Sequence, residues 1–598
     1  MADTVADYLL QRLRAWQVEQ VFGYPGDGIN GLVAAFGRAD NSPRFVQARH
    51  EEMAAFEAVG YAKFSGRVGV CMATSGPGAI HLLNGLYDAK LDHTPVVAIV
   101  GQAARSSMGS SYQQEVDLHT LFKDVAGEYL VDVNVSEQLP NALDRAIRTA
   151  EATRSPTALI VPNDLQEEPY SAPSHTFKEV PSSPPGTAWG RVLPADQDLR
   201  AAAAVINAGS KVAILVGQGA RPAAVQVTEL AELTGAGVAK ALLGKDVLGD
   251  DLPFVTGSIG LLGTRPSYEL MRDCDTLIMI GSNFPYSQFL PEPGQARAVQ
   301  IDIDGRFIGM RYPTEVNLVG DSLSTLDALL PLINNATDRS WRTKVEENVA
   351  DWWDTVHREA SVQADPINPM RIVSELSERI PDNAIVTADS GSSTNWYARN
   401  LKIRGEIRST LSGTLATMGP GVPYAIGAKF AHPDRPVIAL VGDGAMQMNG
   451  MAELITLARY HELWSDPRCV VCVFHNNDLN QVTWELRAIG GEPKFEESQV
   501  LPDVDYAGFA ESLGLVSIAV DDPERIGAAW QTALAADRPA VLDIRCDPEV
   551  PPIPPHATFE QMKATAASLL KGDPDALHVM VQGTKTKLQE FVPGKRTK

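Results

Sequence analysis

Apolar residues recur along this chain in two alternating rhythms. The first is helical. Val5, Leu9, Leu10, Leu13 and Trp16 fall on one face at helical spacing and predict an amphipathic helix at the N-terminus. The second is the short, solid apolar run of a buried strand. "VEQVFGYPG", "RVGVCMATSGPG", "TPVVAIVGQ" and "TALIVPND" alternate with helical stretches over residues 1–165, which predicts a mostly parallel sheet covered by helices. The same alternation returns over 199–335 ("KVAILVGQG", "CDTLIMIGSNFPY", "AVQIDID", "VNLVGD"). It returns again over 366–550 ("NAIVTADSG", "PVIALVGDGAM", "CVVCVFHNN", "PAVLDIRCD"). The expected class is α/β, with three consecutive doubly wound α/β domains.

What lies between these units reads differently. Residues 166–198 hold prolines at 169, 173, 181, 184, 185 and 194 and few large apolar residues, so they read as a surface linker. Residues 336–365 are charged and tryptophan-bearing and predict a helical connector. The stretch "PEVPPIPPH" then punctuates the chain, and residues 551–598 form a tail. Leu577, Val579, Val581, Leu588 and Phe591 there are interleaved with basic residues. That tail fits either an ordered or frayed terminus or a weak interfacial segment touching a membrane.

Composition narrows the function classes. The net charge is −23 over 598 residues, which excludes nonspecific nucleic-acid binding as the main role. The N-terminus lacks the basic region and apolar run of a signal peptide, and no apolar run reaches the 18 residues of a spanning helix. The expected location is the cytoplasm. Five cysteines make no disulfide framework. Cys469 and Cys472 sit inside the apolar run "CVVCVF" with no second pair, so they read as a buried strand.

The candidate chemistry starts at "VGDGAMQMNG" (441–450) and "FHNND" (474–478). In open parallel sheets ligands bind beyond the carboxyl ends of the strands. Asp443 stands at such an end between two glycines that permit a tight turn and close ligand approach. The following helix start suits an anion. A carboxylate beside a phosphate-binding helix start points to a bridging Mg²⁺, which takes hard oxygen ligands together with substrate phosphates. Asn477 offers an uncharged oxygen and Leu479 a backbone carbonyl. A lone GDG turn is common, and alone it is as compatible with plain structure.

The wider pattern resembles thiamine-diphosphate enzymes of the pyruvate oxidase, quinone-dependent pyruvate dehydrogenase and acetolactate synthase family. GDG followed by a helix, a strand and NN is similar to the family's diphosphate motif. "RHEEMAAFEAVGYAKFSGRVGVCMATSGPGAIHLLNGLYDAKLDHTPVVAIVGQ" (49–102) resembles its pyrimidine-binding domain. "TADSGSSTNWYARNL" (387–401) and "GTLATMGPGVPYAIGAKFA" (413–431) resemble the start of its diphosphate domain. The similarity runs over residues 1–555 in the family's domain order: pyrimidine-binding, central flavin-type, diphosphate-binding.

The resemblance implies roles residue by residue. Glu51, which alone reads as an ordinary helix-start carboxylate, would bond the aminopyrimidine ring. Met418 would wedge the cofactor into its bent shape. Gly391, Ser392, Gly444 and Ala445 would contact the diphosphate, and Pro25, Gly26, Ser75 and Asn84 the pyrimidine side. Asp443, Asn477 and the Leu479 carbonyl would hold Mg²⁺. Gln114, with its neighbour Glu115, and His93 would lie near a 2-keto acid, pyruvate first. In the central domain, segments containing Gly217 and Gly219, Gly263, Asn283, Asp302 and Asp321 resemble FAD-binding stretches of pyruvate oxidases. The resemblance also implies a homo-oligomer, at least a dimer and in this family a tetramer, with Glu51 and Asp443 supplied by different subunits.

Three departures bear on the reaction. Asp443 and Asn477 are 34 positions apart (477 − 443), longer than is usual in the family, with the excess assigned to "HELWSDPR" (461–468). Gln113 replaces an aromatic residue before the Gln114–Glu115 pair. "TLSGTLATMGPG" is closer to the acetolactate synthase form, and Gln481 stands near where an apolar or aromatic side chain often faces the active site. Oxidation through flavin, attack on a second keto acid and simple protonation all stay open at this point. Oxidative decarboxylation is the expected reaction, with an acetolactate-synthase-like carboligase or non-oxidative decarboxylase as the alternative.

Overall fold

A computed structural model describes residues 3–174, 176, 178–181, 183–552 and 559–590. Phe591 of the tail lies outside the described residues, as does the side chain of Leu588. The chain builds three six-stranded parallel sheets. The first contains β1 (Gln20–Gly23), β2 (Arg44–Gln47), β3 (Gly69–Ala73), β4 (Val96–Gln102), β5 (Leu130–Asp132) and β6 (Pro156–Pro162). The second contains β7 (Val212–Val216), β8 (Gly237–Lys240), β9 (Val255–Ser258), β10 (Thr276–Ile280), β11 (Arg297–Asp302) and β12 (Val316–Val319). The third contains β13 (Ile385–Ala388), β14 (Arg408–Thr410), β15 (Val437–Gly442), β16 (Cys469–His475), β17 (Val516–Val520) and β18 (Ala540–Arg545). This is the predicted architecture of three α/β units.

The first and third sheets share one wiring. Their orders are β2-β1-β3-β4-β6-β5 and β14-β13-β15-β16-β18-β17, the same permutation. The central order, β12-β11-β10-β7-β8-β9, is the 3-2-1-4-5-6 arrangement of dinucleotide-binding folds, with its switch point between β7 and β10. The inner strands β3, β4, β7, β10 and β16 are buried along their whole length. That explains their solid rather than alternating apolar runs. Cys469 and Cys472 are both buried in β16, where burial pushes the Cys469 thiol up to about 12.

Two helices lock the first and third units together. Glu51–Ser65 and Gly421–Ala431 are buried nearly all round, as a helix enclosed in a core must be. Small residues let their backbones meet. A Cβ on Gly60 would lie 2.7 Å from the Tyr424 Cα, and one on Gly427 2.3 Å from the Glu57 carbonyl. Across the same seam the Lys63 ammonium donates to Asp92 (2.7 Å) and to the Leu411 carbonyl (2.8 Å).

The N-terminal helix Val5–Ala15 buries Val5, Leu9, Leu10 and Leu13, with Trp16 capping it. The connector is the helix Ser340–Ala360, anchored by the Trp341 indole donating to the Val212 carbonyl (3.0 Å). The tail contains the helices Phe559–Leu570 and Ala576–Glu590. The second packs on the connector, where Arg358 donates to the Gln589 carbonyl (3.2 Å). Val579 is buried and Leu577 exposed. Buried Arg487 pairs with Asp573 (2.8 Å) and Glu549 (2.7 Å), tying the tail to the segment after Leu479. Among the described residues no helix is long and apolar enough to cross a membrane.

Candidate active site

Two corners gather the sequence-predicted residues, one at the strand ends of each outer sheet. The first lies beyond β1 and β3. Gly28 donates its amide to the Thr74 hydroxyl (2.9 Å), and a Cβ on Gly26 would strike the Thr74 side chain at 2.6 Å. Gly76 bends the chain at φ 57 and abuts Gln114, whose amide oxygen accepts from the Ser75 hydroxyl (3.1 Å). A Cβ on Gly78 would sit 2.9 Å from Glu51 Oε1. So Gly26, Ser75, Gln114 and Glu51 stand together around one glycine-rich turn.

Glu51 opens its helix, capped by His50, and is 8% exposed. Its Oε2 lies 2.9 Å from Nδ1 of His81. The His50 and His81 rings lie against each other, 4.2 Å between centroids and tilted by 32°. The ligand atoms of His50, Glu51 and His81 come within 4.8 Å of one another. Asn84 stands apart from this turn. Its amide donates to Glu52 (2.6 Å) and to the Thr417 hydroxyl (3.0 Å), bridging the seam between the outer units.

The second corner lies beyond β13, β15 and β16. Asp443 is 2% exposed and accepts from the amides of Gly444 (2.8 Å), Asn476 (2.8 Å) and Asn477 (2.5 Å). Burial outweighs those bonds and pushes its carboxyl up to about 6. Asn477 holds φ 55, with Oδ1 2.8 Å from His475 Nε2. Leu479 takes its amide to the Gln499 carbonyl (2.8 Å), and its own carbonyl accepts from Thr483. Five-residue π-helical turns, Met446–Gly450 and Leu486–Gly490, follow both stretches, a feature frequent at functional sites.

Met418 and Leu479 both reach the open face of Gly444. A Cβ on Gly444 would lie 2.7 Å from Leu479 Cδ2 and 3.4 Å from Met418 Cε. Gly391, at φ 125 with open space where a Cβ would stand, precedes the nine-residue helix Ser392–Asn400. The corner therefore offers two glycine-fronted helix starts, a buried carboxylate and neutral oxygens. That donor set fits a diphosphate bridged by a hard divalent cation.

Two buried carboxylates that sequence reasoning passed over hold the Met418 loop. Asp389 accepts from the amides of Gly419 (2.9 Å) and Gly421 (2.8 Å), and burial pushes it up to about 6. Asp92 accepts from the amides of Gly413 (2.9 Å) and Thr414 (2.8 Å). The Asp92 carbonyl also accepts from Gln218 of the central glycine loop (2.9 Å), so this residue touches all three units. Its only sequence signal is its place beside His93.

His93 is not at the Glu51 corner. It stands at φ 53 edge-on to Phe307 (5.0 Å), and burial pushes its pKa down. Of the central residues, Gly217 and Gly219 lie at the switch point, packed directly on Gly281. Gly263 donates to the Gly260 carbonyl in a tight turn. Asn283 accepts from Arg311 (3.1 Å). Asp302 ends β11, accepts from the Asp304 amide (3.0 Å) and is pushed up by burial. Asp321 caps the helix Ser322–Leu329 and accepts from the linker amide of Val192 (2.9 Å), which is a structural post.

These corners, in this order and on these sheets, define a thiamine pyrophosphate enzyme, and the chain belongs to that family. Residues 3–121 match the thiamine pyrophosphate enzyme N-terminal TPP binding domain, 199–329 its central domain and 389–544 its C-terminal TPP binding domain. Among relatives, the putative thiamine pyrophosphate-containing protein YdaP of Bacillus subtilis is 37% identical, covering 95% of this chain and 96% of that protein. A probable acetolactate synthase large subunit of Methanococcus aeolicus is 31% identical over 91% and 92% of the two chains. The pyruvate oxidase of Lactiplantibacillus plantarum is 28% identical over 90% and 87%. The protein is thus an enzyme of the thiamine-diphosphate-dependent, 2-keto acid family.

Proposed function

We propose that the protein decarboxylates a 2-keto acid, pyruvate first, with thiamine diphosphate and Mg²⁺, and passes the electrons to FAD in the central unit. The observation that carries this reading is the pairing of chemistries at the two corners: a buried carboxylate free to meet a ring nitrogen at Glu51, and a cation-and-diphosphate cradle at Asp443. When bound, thiamine diphosphate supplies an acidic thiazolium carbon that adds to the keto group and takes up the electrons left as CO2 departs. Gly391, Ser392, Gly444 and Ala445 would hold the diphosphate by backbone amides. Asp443, the Asn477 amide oxygen and the Leu479 carbonyl would hold Mg²⁺. Met418, on a loop fixed through Asp92 and Asp389, would support the bend of the cofactor, and Gln114, bonded to Ser75 on the pyrimidine side, would face the keto acid.

Among the described residues no hydrogen bond or ion pair joins Glu51, Ser75 or Gln114 to Asp443, Gly444 or Met418. This supports a pocket completed by a second copy of the chain, so that a monomer is inactive. For FAD, the support is the 3-2-1-4-5-6 strand order with glycines at its switch point and Asp302 at the end of β11. A non-oxidative carboligase or decarboxylase is the second reading, favoured by the acetolactate synthase relative at 31% identity.

The experiment is an absorption spectrum of the purified protein before and after anaerobic pyruvate, with thiamine diphosphate and Mg²⁺ present. Flavin bands that bleach support oxidation. Bands that persist, or none, with acetolactate or acetaldehyde as product, overturn it in favour of the second reading.

A further inference from the structure

His81 is the one imidazole in hydrogen-bond contact with Glu51 among the described residues, and nothing so far gives it a role. It ends the short helix Pro77–His81 that springs from the Gly76–Gly78 turn. Its side chain is 40% exposed, whereas that of Glu51 is 10% exposed. Nδ1 of His81 lies 2.9 Å from Glu51 Oε2, within hydrogen-bond distance, and an imidazole can carry the hydrogen of such a contact on Nδ1. Glu51 Oε1, by contrast, is turned to the open face of Gly78, the one residue type that leaves it uncovered.

The neighbouring charges make this pairing specific. His50 lies against His81 at a tilt, but its own Nδ1 accepts from the Glu52 amide (3.2 Å). The Glu52 carboxylate is taken by Asn84 (2.6 Å) and Asn449 (3.4 Å). Arg49 turns to the Gln47 carbonyl and gives its amide to Glu453. On the next helix, Asp88 is bonded to Tyr424, and Lys90 to Asp124. Among the described residues, His81 is therefore the only side chain hydrogen-bonded to the Glu51 carboxylate.

We infer that His81 is a positioning residue for Glu51: it holds Oε2 by an N–H donor and so leaves Oε1 to the ring nitrogen of a bound aminopyrimidine, favouring the ionised carboxylate opposite a protonated ring. This rests on the proposed role of Glu51. It adds that the proton shared between Glu51 and the ring is set from behind by an imidazole reaching toward solvent.

The test compares His81→Phe, which keeps a ring to lie against His50 but has no donor, with His81→Asn, which keeps an N–H near the same place. Two readouts are taken across pH: the affinity for thiamine diphosphate with Mg²⁺ by calorimetry, and kcat with pyruvate. With the proposed donor gone, both limbs of the His81→Phe profile are expected to move to higher pH. His81→Asn keeps the wild-type limbs. A purely structural role would lower the amplitude and leave the limbs in place, and that result overturns the inference. His81→Ala carries the same expectation should the phenylalanine variant fold poorly. A wild-type protein that binds no thiamine diphosphate, or a fully active Glu51→Gln, would instead sink the parent reading.

Discussion

The first and third sheets are wired alike yet present opposite chemistry. In each, strand 1 ends on a glycine turn, at Gly26 and at Gly391, and strand 3 ends on another, at Gly78 and at Gly444. In each, a buried helix follows strand 2, and the residue at its mouth faces the corner. In the first unit that residue is Glu51, a carboxylate backed by an imidazole. In the third it is Met418, a thioether three residues before the helix. The carboxylate of the third unit stands instead at Asp443, bonded only to backbone amides among the described residues. One topology thus sets where ligand atoms can approach, and the loops decide which side chain stands there: a carboxylate beside an imidazole, a thioether, or a carboxylate held by backbone amides.

The strongest way to break this comparison is Glu51→Gln. General acid–base groups contribute roughly 10²- to 10⁴-fold, so kcat with pyruvate should fall at least about 100-fold. Calorimetry should still find thiamine diphosphate bound, and retained activity would show that the first corner is not the protonating one. Asp443→Ala tests the other side. It should abolish metal-dependent cofactor binding, with chelator-stripped wild type regaining the cofactor on Mg²⁺ addition and the variant not. An equal response in both would mean the cation is held elsewhere. A smaller effect is expected for Met418→Ala, which removes a half-buried side chain worth at most about 0.8 kcal/mol per methylene-sized group when a ligand covers it. Affinity for thiamine diphosphate should weaken about tenfold while the melting temperature changes little.

The mildest test addresses the seam between the two units. Glu57 and Glu453 are fully buried and face each other, and burial raises Glu57 well above and Glu453 above the ordinary carboxyl value. Neither Glu57 oxygen has a hydrogen-bond partner among the described residues, so a proton on that buried carboxyl spares an unpaired charge next to Glu453. Because the folded-state values are raised, this pair's stabilisation is complete in acid and is lost as pH rises toward and through them. The wild-type melting temperature should therefore fall as pH rises above the ordinary carboxyl range. Glu57→Gln, which carries its own donor, should flatten that fall and melt about 2–4 °C higher at the high-pH end. Parallel melting curves for the two proteins would show that no proton is held there.

Much of this was legible along the chain. Solid apolar runs ending in glycine, with helical stretches between, are enough for three parallel α/β units, because strands buried on both faces leave no polar alternation. Asp443 could be read from the glycines on either side, and Glu51 only from its wider neighbourhood. His93 could be named only through the likeness of "LDHTPVV" to relatives, and its neighbour Phe307, far along the chain, could not be read from the sequence at all.

What the sequence by itself determined is local: the strand ends, the glycine turns and the residue types displayed on them, all set by short-range periodicity and backbone sterics. The tertiary structure alone decided the partners. His81 meets Glu51 across 30 positions, Asp389 meets Gly419 across 30 and Asp92 meets Gly413 across 321. Such contacts exist only once buried helices pack face to face, and a buried carboxylate then takes whichever N–H the packed backbone brings within reach.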